Sequence, residues 1–149
     1  MVIAMTHEDA GHYASKHSPS ATLDERISEV VMQKASDDRL TCAACHKIAS
    51  DLNVLPSEVG RAIDMMEIRI TKCQMGLFGY SPQKSIVKPA ENVMPALEDA
   101  IRASVVKNRL TCAAAWGIAD KLGLKKMDVS SACETLEIKI STCQLGSFK

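Results

Sequence analysis

Chemistry in this chain would start at Cys42-Ala43-Ala44-Cys45-His46, which has the form C-x-x-C-H. At that spacing two thiols and an imidazole can meet a c-type haem. A haem attached in that way needs an exported chain. The apolar run Met1 to Met5 is broken by His7, Glu8 and Asp9, too soon for a leader. The same residues admit a metal reading. Cys42 and Cys45 lie one helical turn apart, Cys73 offers a third sulfur and His46 a fourth ligand, for zinc or as part of an iron-sulfur site. Packing explains them as well: Cys45 falls three and four residues before Ile48 and Ala49, on one apolar stripe, and a free cysteine behaves as a small buried hydrophobe. The expectation is core thiols and no cofactor, with Cys42, Cys45, His46 and Cys73 as the alternative metal set. Nucleophilic catalysis by Cys45 and His46 is disfavoured, since adjacent residues on a helix point about 100° apart. The chain has no Gly-rich phosphate loop, no G-x-S-x-G and no H-E-x-x-H, so no enzyme is expected.

The elements that position these residues occur twice. Arg39 to Gly79 aligns without a gap on Arg109 to Lys149 at a constant offset of seventy, with eighteen of forty-one positions identical. The second copy reads Cys112-Ala113-Ala114-Ala115-Trp116 where the first has its C-x-x-C-H, so only Cys42 with Cys73 and Cys112 with Cys143 recur. Thr22 and Glu25 have the spacing of a capping box ahead of Leu23, Ile27, Val30, Val31 and Ala35, an amphipathic helix ending near Asp37-Asp38. Val93, Leu97, Ala100, Ile101 and Val105 repeat that pattern, so each unit has three helices. Thr41 and Thr111 are natural N-caps for the second helix, with Leu40 and Leu110 placed to staple onto its first turn. Pro56 suits the first turn of the third helix; the second copy has Lys126 there. Beyond the third helix, residues 67–73 and 137–143 alternate β-branched with polar side chains, the mark of a short strand.

Ile118, Ala119, Leu122, Gly123, Leu124, Val129 and Ala132 follow the spacing of two helices crossing through a tight turn, and Ile48, Ala49, Leu52, Asn53, Val54, Val59 and Ala62 repeat it. Gly123 and Asn53 are the residues that best tolerate a left-handed turn. This pattern resembles the helix-turn-helix of transcriptional regulators, and the trailing strand makes each unit resemble a winged helix with a reduced wing. The resemblance implies a mainly α fold of two tandem three-helix units with short β-strands, related by a pseudo-two-fold or a screw. The expected boundaries are an N-terminal arm over 1–21, a first unit over 22–79, a linker over 80–91 carrying Pro82 and Pro89, and a second unit over 92–149. The arm holds His7, His12 and His17 at intervals of five, which scatter around a helix instead of forming a ligand face.

Eighteen basic and eighteen acidic side chains give a formal net charge of zero, so the basic footprint usual for nucleic-acid binding is missing overall. Counted by copy, 39–79 holds five Lys/Arg against four Asp/Glu and 109–149 six against four. Five aromatics disfavour a single-strand-binding surface, which stacks bases on exposed rings. No stretch approaches the length of a membrane span, and a cytoplasmic protein with reduced thiols is expected.

The resemblance implies a small regulator that binds double-stranded DNA through both third helices. With Val59, Ala62 and Ile63 inward, Ser57, Glu58, Arg61, Asp64 and Met65 would face out. In the second copy Asp128, Ser130, Ser131, Glu134 and Thr135 would do so. The expected DNA contacts are Ser57, Arg61, Met65, Arg69, Lys72, Lys125, Lys126, Ser131 and Lys139, with Arg61 able to reach a guanine edge and the other cations and serines holding phosphates. A homodimer is compatible with this reading. Two alternatives remain: a protein-binding module using a Met-rich surface at Met65, Met66 and Met75, and a cysteine-based metal or redox sensor.

Overall fold

The computed structural model describes residues 13–17 and 22–149. The first unit runs α1 (Glu25–Lys34), β1 (Arg39–Thr41), α2 (Cys42–Leu52), α3 (Pro56–Met65) and β2 (Arg69–Thr71). The second runs α4 (Pro95–Ser104), β3 (Arg109–Thr111), α5 (Cys112–Leu122), α6 (Lys126–Leu136) and β4 (Lys139–Ser141). Every element of the second starts seventy residues after its counterpart, and the molecule is mainly α.

Local chemistry sets the boundaries. Thr41 and Thr111 cap α2 and α5 as expected, each Oγ accepting from the backbone N–H of the third residue on, Ala44 and Ala114. Both helices end in a left-handed residue, Asn53 at φ 55° and Gly123 at φ 67°. Pro56 opens α3. The acids three residues past the N-cap, Glu58 and Asp128, accept from the backbone N–H of Leu55 and Lys125, which supplies the cap that the second copy lacked by composition. α1 starts later than the Thr22 spacing indicated, because Asp24 is the cap and accepts from Arg26 and Ile27.

The strands differ from a wing. β2 pairs in parallel with β1, the strand just ahead of the helix pair, in the register Arg39 with Arg69, Leu40 with Ile70 and Thr41 with Thr71. β4 pairs likewise with β3: Arg109 with Lys139, Leu110 with Ile140, Thr111 with Ser141. Each unit is thus two parallel strands bridged by two packed helices, with a third helix against them. Leu40, Ile70, Leu110 and Ile140 point into the core, and their neighbours in the strands alternate outward except Ser141.

One continuous core joins the units. His46 meets Trp116 in a tilted contact with ring centroids 4.3 Å apart, and Phe78 meets Phe148 edge-on at 6.1 Å. Each of these pairs is a residue touching its own counterpart, which requires a two-fold axis between them. Reciprocal contacts obey the same axis. Gly60 of α3 lies against the Leu145 carbonyl, and Ser130, its counterpart in α6, donates to the carbonyl of Met75, the counterpart of Leu145, at 2.6 Å. The loop after each second strand therefore packs on the third helix of the other unit. Among the described residues, no helix is long and apolar enough to cross a membrane.

Candidate nucleic-acid interface

The third helices are less open than their periodicity suggested. Asp64 and Ser130, expected to face out, are each 1% exposed. Ser130 is covered by the Met75 carbonyl of the other unit. Asp64 is covered from the N-terminal side: residues Tyr13–Lys16 form a short 3-10 helix docked on α3, and His17 Nε2 lies 2.8 Å from Asp64 Oδ2. The backbone N–H groups of Tyr13 and Ala14 donate to the Glu67 carboxylate. That part of the arm is thus built into the first unit, while His7 and His12 lie outside the described residues.

The linker plays the matching part on α6. The Ala90 N–H donates to the Ser131 carbonyl and Thr135 Oγ1 donates to the Ala90 carbonyl at 2.6 Å. Ser131 is consequently half-buried beneath it. Of the expected contacts on the third helices, Ser57, Arg61 and Lys125 are exposed and Met65 half-buried, beside the exposed carboxylates Glu58, Asp128 and Glu134. Arg61 lines one cleft with Asp24 and Glu58 and another with Asp64, so carboxylates surround it. Lys126 is committed elsewhere, its Nζ 4.5 Å from the centre of the Trp116 ring, a cation-π contact.

The other predicted cations cluster on the strand pairs. Arg39 and Arg69 are directly opposed across β1 and β2, and Arg109 and Lys139 across β3 and β4. Arg39, Arg109 and Lys139 are exposed and Arg69 half-buried, with exposed Lys72 just beyond β2. Sequence reasoning passed over Arg39 and Arg109, because the strands holding them are three residues long and carry little alternation. Their identity in both copies was the available signal.

The thiols are buried. Cys42, Cys45, Cys73, Cys112 and Cys133 are at most 6% exposed and Cys143 is half-buried. Burial pushes the Cys42 thiol up to about 12 and those of Cys112 and Cys133 up to about 11; Cys45 and Cys73 are raised too. Cys73, Cys143 and Cys112 also lie near enough to Cys42 to push its thiol up further, so the two recurring pairs sit together. Among the described residues no group of three or more His, Cys, Asp or Glu is arranged to hold a metal ion. His46, the fourth member of the metal set, instead faces Trp116, and its pKa is lowered to about 4 by burial and then by Lys126. The Met-rich surface is not formed as expected, since Met75 is fully buried and Met65 and Met66 half-buried. The reason is again the seam: the loop holding Met75 packs on α6.

No protein-family description, curated protein or solved structure matches this chain.

Proposed function

We propose that this chain is a small non-catalytic regulator that binds double-stranded DNA, two helix-turn-helix-like units in one polypeptide acting as a built-in dimer. The observation that carries this reading is the opposed like-charged pair on each strand pair, Arg39 with Arg69 and Arg109 with Lys139. Recurrence of paired cations at equivalent positions, with Arg39, Arg109 and Lys139 exposed, fits a surface that meets phosphates. The axis relating the units relates the two sites, and a duplex presents its two phosphate backbones about matching dyads. Lys72 adds to the first site, and Ser57 and Lys125 at the starts of the third helices, with Arg61 midway along α3, are the remaining candidates for contact. With both flanks of α3 and α6 occupied, affinity would come chiefly from phosphates and little from base edges.

Fluorescence anisotropy on a labelled random duplex tests this. Binding at low ionic strength that weakens steeply with added salt is expected, because neutralised phosphates release counterions. Absence of salt-dependent binding at low ionic strength would overturn it.

A further inference from the structure

The turns that lead into β1 and β3 share a backbone and differ in charge. Ser36 and Arg39 exchange backbone hydrogen bonds, each 3.0 Å, around Asp37 and Asp38 at φ 53° and 56°. Val106 and Arg109 exchange theirs at 2.9 and 3.0 Å around Lys107 and Asn108, at φ 51° and 60°. Two successive left-handed residues make each turn a tight tip. The strand behind holds it in place: the Arg69 N–H donates to the Asp38 carbonyl, and the Lys139 N–H to that of Asn108. One tip therefore presents two carboxylates and the other an amine.

The first tip borders an open groove of about 420 Å³, lined by Met32, Ala35, Met66 and Ile68 together with Asp37 and Asp38. Met32 is 72% exposed, and a thioether can adapt its shape to what it meets. The second unit carries Arg102, Lys107 and Asn108 where the first has Met32, Asp37 and Asp38. Arg102 is held by Glu98 at 2.8 Å across one helical turn, so Lys107 is the cation that this tip offers. Beside it Val106, in the place of Ser36, is 69% exposed. Among the described residues Asp37, Asp38 and Lys107 make no ion pair.

We propose that the groove of one molecule receives the Val106-Lys107 tip of a second copy of this chain. Val106 enters between Met32 and Met66, over Ile68, and the Lys107 amine meets the Asp37 and Asp38 carboxylates. An apolar floor with an acidic edge is thereby matched by an apolar side chain next to a cation. Each molecule has one such groove and one such tip, so the contact is heterologous and joins copies head to tail. It is small, and its dissociation constant is on the order of 10⁻⁴ M. It uses neither the third helices nor the strand-pair cations, so it stands apart from the DNA reading.

Sedimentation equilibrium on the full chain, from about 10 µM to about 1 mM, tests this. The mean mass of the native protein should rise with concentration beyond that of two chains. Two variants exchange residues between the copies, so each turn keeps a sequence that its backbone already accepts. Val106→Ser removes the apolar side chain of the tip, and Asp37→Lys with Asp38→Asn reverses the charge of the groove. Each alone should associate at least about tenfold more weakly than the native protein. An equimolar mixture pairs the intact groove of the first with the intact tip of the second and should stop at two chains, because both free ends of that pair are altered. Native protein that stays at one chain up to about 1 mM would overturn the proposal. So would a mixture that associates no better than its components, or one that grows past two chains.

Discussion

His46 reports on the seam between the units. Its folded-state pKa of about 4 lies below the ordinary 6.5, because burial against Trp116 and the nearby Lys126 disfavour the imidazolium. Between those values the unfolded chain binds a proton that the folded chain refuses, so stability rises with pH across that window and falls on acidification from 6.5 toward 4. Urea midpoints at pH 7 and pH 5 should differ in that direction for the native protein and by less for His46→Phe. An equal pH dependence in both would place His46 elsewhere. The thiols make a second prediction at this scale. Neutral, buried cysteines react slowly, so brief alkylation of the folded protein followed by peptide mass analysis should modify Cys143 first. Simultaneous modification of Cys42 or Cys45 would contradict their burial.

Between elements, the seam depends on small residues at one position of the third helices. An added Cβ at Gly60 would lie 1.8 Å from the Leu145 carbonyl oxygen, a backbone atom with little freedom to move. Gly60→Ala should therefore destabilise by about 2–3 kcal/mol. Ser130→Ala loses the hydrogen bond to Met75, with an expected cost of about 1 kcal/mol. Gly117→Ala is the control: the position lies inside α5 with nothing within 4 Å of the added carbon, and alanine should stabilise by up to about 1 kcal/mol. Thermal or urea denaturation measures all three.

The same seam decides what could be read in advance. The units, the caps Thr41 and Thr111 and the left-handed residues Asn53 and Gly123 were legible because each depends on a few neighbouring residues. β1 was not. Arg39-Leu40-Thr41 is too short to alternate visibly, and its partner lies thirty residues on. Helical periodicity turns Ser130 and Asp64 outward because it carries no record of the Met75 loop that arrives on α6 from the other unit or of the N-terminal segment that docks on α3. Gly60 and Ser130, two small residues at one repeat position, were the trace that close approach left in the sequence.

For the whole molecule, the two-fold axis pairs the third helix of each unit with a loop of the other, while the N-terminal 3-10 helix covers α3 and the linker covers α6. An intramolecular dimer fixes the separation of its two strand-pair sites, so each should contribute to duplex binding independently of protein concentration. The most direct measurement is the slope of log binding constant against log salt concentration for a random duplex, taken on the native protein, Arg39→Ala, Arg109→Ala and the double variant. Each lost phosphate contact removes about 0.9 from the slope. Equal reductions of about that size in the two single variants, and about twice that in the double, are expected. A slope unchanged in the double variant, with binding lost instead on Arg61→Ala, would contradict the strand-pair sites and return recognition to the third helices.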